Sequence, residues 1–320
     1  MYHGFAISEQ KEILTIRVRI TLSPVRYSIG EVVLVDQGSS IYENTGIQYP
    51  LVVGGYKAMR TSLLSDLEVS LEELPICLIG GRTCSGKTIA LKQMARFVDL
   101  EALANHRGSA FGAIAQEDQP AQIDFENSII IELLKHRKSS PTLPVYVEDE
   151  GNRIGRVALP MSMHKPMGDF PSIILETPLQ KRIDICIEEY IQSPFHTYLD
   201  SGNANASDDN EEKGHARIRS VFLEAVGRIH KKLKRKWGGT SNEGYDIVSE
   251  FEKAFDLFKR SNASNVSGFR KPIQLLLEEY YDPMYDYQMS KREGDVLFRG
   301  SMEDIVKWAG DHSTLNHGQI

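Results

Sequence analysis

At 320 residues, 41% hydrophobic and 25% charged, the chain has room for one large domain or two ordinary ones, and its core needs no disulfide or metal staple. Three cysteines without paired spacing, Cys77, Cys84 and Cys186, exclude a disulfide framework or a zinc-finger site and suit a reducing compartment. No apolar run approaches a membrane span and the N-terminus lacks a signal-like apolar core, so the expectation is a cytoplasmic protein with no membrane partner. The formal net charge of −7 excludes a global attraction to nucleic acid and leaves any such partner to a local basic patch.

In chain order, residues 1–45 show strand-like runs in ILTIRVRITL and EVVLV but no motif, and stay unassigned. Residues 46–70 form a bridge, with a short strand, a Gly-Gly turn and helical spacing. Residues 71–199 open on an apolar strand, Ile76 to Ile79, then a glycine turn, then a helix expected from about Lys87 to Phe97. Two further apolar strands, VYVED at 145–149 and SIILE at 172–176, each end in acid. Strands alternating with helices predict an α/β fold: a P-loop NTPase-like parallel sheet with helices on both faces. Residues 200–214, DSGNANASDDNEEKG, read as an exposed acidic loop. Residues 215–320 read as a mainly helical region, with helices near 215–236, 243–260 and 270–281.

The turn GRTCSGKT, Gly81 to Thr88, fits G-x-x-x-x-G-K-[ST] in the required setting between strand and helix. Gly81, Cys84, Ser85, Gly86, Lys87 and Thr88 are the expected phosphate-binding residues: backbone amides cradle oxygens, Lys87 adds a point charge, and the Thr88 hydroxyl ligates Mg²⁺. Cys84 stands where many such loops carry glycine. If φ is positive there, the cysteine is strained. Its thiol is either a reactive group activated by the helix N-terminus and Lys87, or simply a small side chain. Glu148 and Asp149, ending VYVED, are expected to share the Mg²⁺ with Thr88, and Glu148 is also a catalytic candidate. His106 and Arg107, in ANHRGSAFG, are the candidates for catalysis or a second phosphate contact. The run RIHKKLKRKW is the strongest basic patch, and Lys231, Lys232, Lys234, Arg235 and Lys236 are the candidate tRNA-binding residues, against a plain solvated helix face. EYYDPMYDYQ is dense in tyrosines, suited to stacking on bases, to lining an apolar substrate, or to core.

Taken together, GGYKAMR, the GKT loop, DLEALANHRGSAFG, P-x-Q-x-x-FEN, VYVEDEGNRIG and YYDPMYDYQ, in this order from about Gly46 to Trp308, resemble the tRNA 2-selenouridine synthase family. The resemblance implies a P-loop domain joined to a rhodanese-like one. It implies action on wobble 2-thiouridine in the tRNA anticodon stem-loop, with geranyl transfer from geranyl diphosphate followed by exchange of sulfur for selenium from selenophosphate. The P-loop ligand is then a nucleoside triphosphate or geranyl diphosphate. One departure matters. The family's selenium chemistry uses a Cys-Trp-Arg-Gly-Gly type loop, and no cysteine precedes Cys77. The expectation is a transferase of this kind with the selenium step lost. The alternatives are a P-loop NTPase or kinase acting on a small molecule, and a non-catalytic tRNA-binding remnant.

Overall fold

The computed structural model describes residues 15–22, 25–35, 51–52, 54–108, 111, 118–201, 208–237 and 246–312; the side chains of 15–52, 199–211 and 232–237 are outside that description. The first two strands, β1 (Thr15–Leu22) and β2 (Val25–Val35), pair antiparallel, and β3 (Leu51–Val52) adds to β2. They match the two strand-like runs read in the sequence and form a small sheet of their own.

Helix α1 (Gly55–Glu73) leads into β4 (Ile76–Gly81), every residue of which is buried. The loop and α2 (Lys87–Leu91) follow, then β5 (Phe97–Val98), α3 (Leu100–Leu103), α4 (Gln122–Ser139) and β6 (Val145–Glu148). A hairpin of β7 (Arg153–Ile154) and β8 (Val157–Ala158), α5 (Met161–His164) and β9 (Ser172–Leu175) complete this part. Next come helices α6 (Leu179–Ile187), α7 (Ser193–Ser201), α8 (Asp208–Trp237), α9 (Ile247–Arg260), α10 (Arg270–Leu276) and α11 (Asp282–Met289). Last are β10 (Val296–Gly300) and α12 (Met302–Asp311).

The main sheet has the order β10-β9-β4-β6-β5, parallel throughout. The pleat of β4 sends alternate residues to opposite faces. Ile76 and Leu78 pack with Leu63 and Leu67 of α1 and with Phe125 and Ile129 of α4. Cys77 and Ile79 pack with Ala90 and Leu91 of α2 and with Ile305 and Ala309 of α12. The sheet is thus covered on both faces, as expected of a parallel one. A third core, built on Phe222, Phe251, Phe255, Phe258 and Phe269, holds α6 to α10 together.

Three local expectations are corrected. The helix after the glycine loop stops at Leu91, not near Phe97, because residues 97–98 leave to form β5 at the sheet edge. The region after residue 215 is not helical to its end: β10 returns to the sheet beside β9. Helix α8 starts at Asp208, inside the stretch read as a loop; residues 202–207 of that stretch lie outside the described residues.

Candidate functional site

The loop between β4 and α2 follows its sequence. Gly86 takes φ 86°, and Cys84 takes φ 58° in the left-handed region. For a cysteine this costs backbone energy. The strain expected if φ proved positive is therefore present. The Cys84 side chain points into the apolar helical core beside Cys186, and burial with that thiol contact pushes its pKa well up. Depression by Lys87 and the helix end, the condition for a reactive thiol, does not occur. Ser85 is buried, and its carbonyl accepts from Thr177 Oγ1 at 2.8 Å. The ammonium of Lys87 donates to the Gly81 carbonyl at 3.1 Å.

The loop is also held from outside. Arg182, on α6 and 2% exposed, donates through Nε to the Thr83 carbonyl at 2.9 Å. Its two terminal nitrogens donate to Asp282 at 2.9 and 2.6 Å. Arg82 reaches Asp282 at 3.2 Å and Asp286 at 3.0 Å. One buried carboxylate on α11 thus holds the start of the loop, directly at Arg82 and through Arg182 at Thr83.

Glu148 ends β6 opposite Ile79 of β4, and its carboxylate is fully buried. It accepts from Thr88 Oγ1 at 2.7 Å and from the Glu101 N–H at 3.0 Å. Burial, then the negative charges of Glu101 and Asp99, push its pKa up to about 7. Glu150 is pushed up to about 8, by burial against the opposing pull of Lys87. Burial raises Glu101 as well, and that carboxylate accepts the Gly108 N–H. Three carboxylates crowd one ammonium and one hydroxyl, a like-charge repulsion that a hard cation would offset. Asp149, expected beside Thr88, instead forms an ion pair with Arg292.

His106 and Arg107 border the same space. Burial lowers the His106 pKa, which favours a neutral ring. The Arg107 guanidinium lies 5.9 Å from the Tyr190 ring centroid, and burial raises the carboxyl pKa of Glu189 against the opposing charge of Arg107. Tyr280, Tyr281, Met284, Tyr285 and Met289 line the same cleft as the loop, a space of about 1270 Å³. Two π-helical turns shape it. Glu188–Gln192 presents Glu189 and Tyr190, and Leu277–Tyr281 presents Tyr280 and Tyr281. Such turns recur at functional sites.

Of the candidate residues, Gly81, Cys84, Ser85, Gly86, Lys87, Thr88, His106, Arg107 and Asp149 line this cleft, and Glu148 lies beneath it on Thr88. Lys231 is exposed and not part of the cleft wall, and the side chains of Lys232, Lys234, Arg235 and Lys236 are outside the described residues. The sequence reading gave no role to Arg182, Asp282, Glu189 or Arg292. Nothing local marks them; only the fold brings them to the loop.

A buried parallel strand, a glycine turn, a helix and a buried acid on the neighbouring strand, hydrogen-bonded to the Thr88 hydroxyl, define an α/β protein of the P-loop NTPase-like class. Comparison with known families narrows this further. The tRNA 2-selenouridine synthase AAA domain family profile matches residues 74–316. The chain is 40% identical to a tRNA 2-selenouridine synthase of Marinobacter nauticus over 83% of this chain and 68% of that protein. It is 37% identical to one of Alcanivorax borkumensis, covering 81% and 67%, and 39% identical to one of Sulfurovum sp., covering 79% and 64%. The chain belongs to the tRNA 2-selenouridine synthase family. No solved structure matches it. No helix among the described residues is long and apolar enough to cross a membrane.

Proposed function

We propose that the chain modifies wobble uridine in tRNA by prenyl transfer, with the P-loop holding the diphosphate of geranyl diphosphate and 2-thiouridine of the anticodon stem-loop as acceptor. The observation that carries this reading is the make-up of the cleft. A phosphate cradle and a group of tyrosine and methionine side chains line one cleft, which suits a ligand anionic at one end and apolar at the other. In the reaction the carbon–oxygen bond to the diphosphate breaks, a carbon–sulfur bond forms, and the uridine N3 proton passes to solvent. Lys87 and the loop amides stabilise the charge that gathers on the departing pyrophosphate. The thiocarbonyl sulfur is soft and needs little base assistance, so Glu148 serves to orient Thr88 rather than to take a proton.

Mg²⁺ fits this site. Thr88 Oγ1 and Glu148 Oε1 lie 2.7 Å apart. Among the described residues no group of three or more His, Cys, Asp or Glu side chains could hold a metal alone. Mg²⁺ commonly takes one or two protein oxygens and completes its shell with phosphate and water. Bound there, it would supply electrostatic stabilisation of pyrophosphate.

The selenium step, with selenophosphate as donor, has less support in this chain. All three cysteines, Cys77, Cys84 and Cys186, are buried, and none precedes residue 77. A persulfide-type relay needs an accessible thiolate. Prenyl transfer is tested by incubating the chain with thiolated tRNA, Mg²⁺ and geranyl diphosphate, followed by mass analysis of the digested nucleosides. Geranylated thiouridine is expected, and its loss in Lys87→Ala. Product formed equally well by Lys87→Ala would overturn the assignment of the P-loop.

A further inference from the structure

The P-loop accounts for one anionic group, yet the cleft carries hydrogen-bond donors that it does not use. Tyr285 on α11 and Arg292 just beyond it both line the cleft. The Tyr285 hydroxyl is buried and has no hydrogen-bond partner among the described residues, and the same holds for Arg292 Nη1. Buried polar atoms without partners are uncommon in folded proteins and ask for an explanation. Here the two have a shared neighbourhood. Arg292 is held by Asp149 through its other terminal nitrogen, which leaves Nη1 free. Asp149 Oδ2 and the Tyr285 hydroxyl both close on the space above Gly80, at 3.5 and 3.4 Å from where a Cβ would stand. The charges of Arg299, Arg292 and Arg82 all bear on the Tyr285 hydroxyl. Burial keeps that hydroxyl protonated, at a pKa pushed up to about 12, so it can only serve as donor or neutral acceptor at physiological pH.

We infer that Tyr285 and Arg292, with Asp149 holding the guanidinium, form a second oxyanion subsite beside the P-loop, for a phosphate-type group of the second substrate. Two donors, one cationic, with a planar fork fixed by a carboxylate, match a tetrahedral phosphate oxygen pair. The group has two possible sources: an RNA phosphodiester next to the modified nucleotide, or a free phosphate derivative of the thiophosphate class. The inference rests on the reading that the P-loop takes the first phosphate-bearing ligand.

The test uses the full chain with Mg²⁺ and saturating pyrophosphate, which fills the P-loop. Monothiophosphate binding is measured by calorimetry, and binding of a labelled anticodon stem-loop by fluorescence anisotropy. Tyr285→Phe keeps the ring, and Arg292→Lys keeps a cation on Asp149, so both variants retain the packing. Loss of a hydrogen bond to a charged group predicts roughly tenfold or more weaker binding in each variant. A loss confined to monothiophosphate identifies a free phosphate derivative, a loss confined to the stem-loop identifies the phosphodiester, and a loss in both supports a site that takes either. Unchanged affinity for both probes in both variants, or no binding of either probe to the wild type, overturns the subsite. Pyrophosphate affinity is measured separately in Lys87→Ala. If it stays unchanged, the P-loop reading fails while the Tyr285 result still stands or falls by itself.

Discussion

Arg182 and Asp282, 100 residues apart in sequence, meet in a buried two-pronged ion pair, and the same guanidinium holds the Thr83 carbonyl of the P-loop. The P-loop is therefore braced by the helical region and not by the sheet alone. Removing one partner of such a pair leaves an uncompensated buried charge, a loss of about 3–5 kcal/mol. Asp282→Ala and Arg182→Ala are each expected to lower the urea midpoint accordingly. The double variant Arg182→Met/Asp282→Leu should recover much of the stability. It should still bind pyrophosphate weakly, because the Thr83 carbonyl has lost its donor. Full recovery of both would show that the brace serves stability alone.

Cys84 supplies a second test. At φ 58° a β-branched residue is worse placed than cysteine. Cys84→Val should lower the melting temperature clearly. In Cys84→Gly, relief of about 1–2 kcal/mol of left-handed strain is offset by the lost packing against Cys186, leaving stability near that of the wild type. The native thiol should react with a disulfide reagent at pH 8 far more slowly than in urea, since burial raises its pKa. Fast labelling of the folded chain would contradict this placement.

The acids set the pH response. Glu148 and Glu150 have native pKa values near 7 and 8, above their ordinary value of 4.5. Between about pH 4.5 and 8 the folded chain thus holds more protons than the unfolded one. Stability from these groups is fully present below the lower limit and declines as pH rises through the native values. Melting temperature should fall from pH 5.5 to 8.5, and the fall should be shallower in Glu150→Gln. A melting curve that rises over this window would contradict the cluster's electrostatics.

Gly108 sits between two of these carboxylates. A Cβ there would stand 2.5 Å from Glu101 Oε1 and 2.6 Å from Glu150 Oε2. Gly108→Ala should force the acids apart and weaken Mg²⁺-dependent pyrophosphate binding by roughly tenfold, the scale of one disturbed charge-assisted contact. The melting temperature should change by only a few degrees. Calorimetry with and without Mg²⁺ separates the two effects.

The parts of this protein legible in its sequence are the local ones. GRTCSGKT fixes a loop through glycines, a lysine and a hydroxyl within eight consecutive positions, and VYVED places its acid at a strand end, so both lie where expected. Strands β5 and β10 escaped notice. The first is two residues long, and the second carries few buried side chains because it lies at the sheet edge. The helix after the loop is shorter than its sequence implies, since KTIALKQMARF keeps helical spacing while the sheet draws Phe97 and Val98 away. The π-helical turns at Glu188–Gln192 and Leu277–Tyr281 have no sequence signature of their own. Arg182, Asp282, Tyr285 and Arg292 owe their roles to pairings across the fold, which spacing along the chain does not express.

The order of the sheet bears on how the chain is made. Strand β9 carries the apolar run SIIL, and the Ser172 N–H donates to the Asp295 carbonyl, 123 residues further on. Between them lie all the helices from α6 to α11. At roughly 5–20 residues per second during synthesis, β9 leaves the ribosome on the order of ten seconds before the strand that covers its edge. Through that interval an apolar, hydrogen-bond-hungry edge stands open, the kind of surface that other chains add to. The length of the helical insertion is thus also a delay, and quality of expression in a heterologous host should depend on how that delay is managed by chaperones.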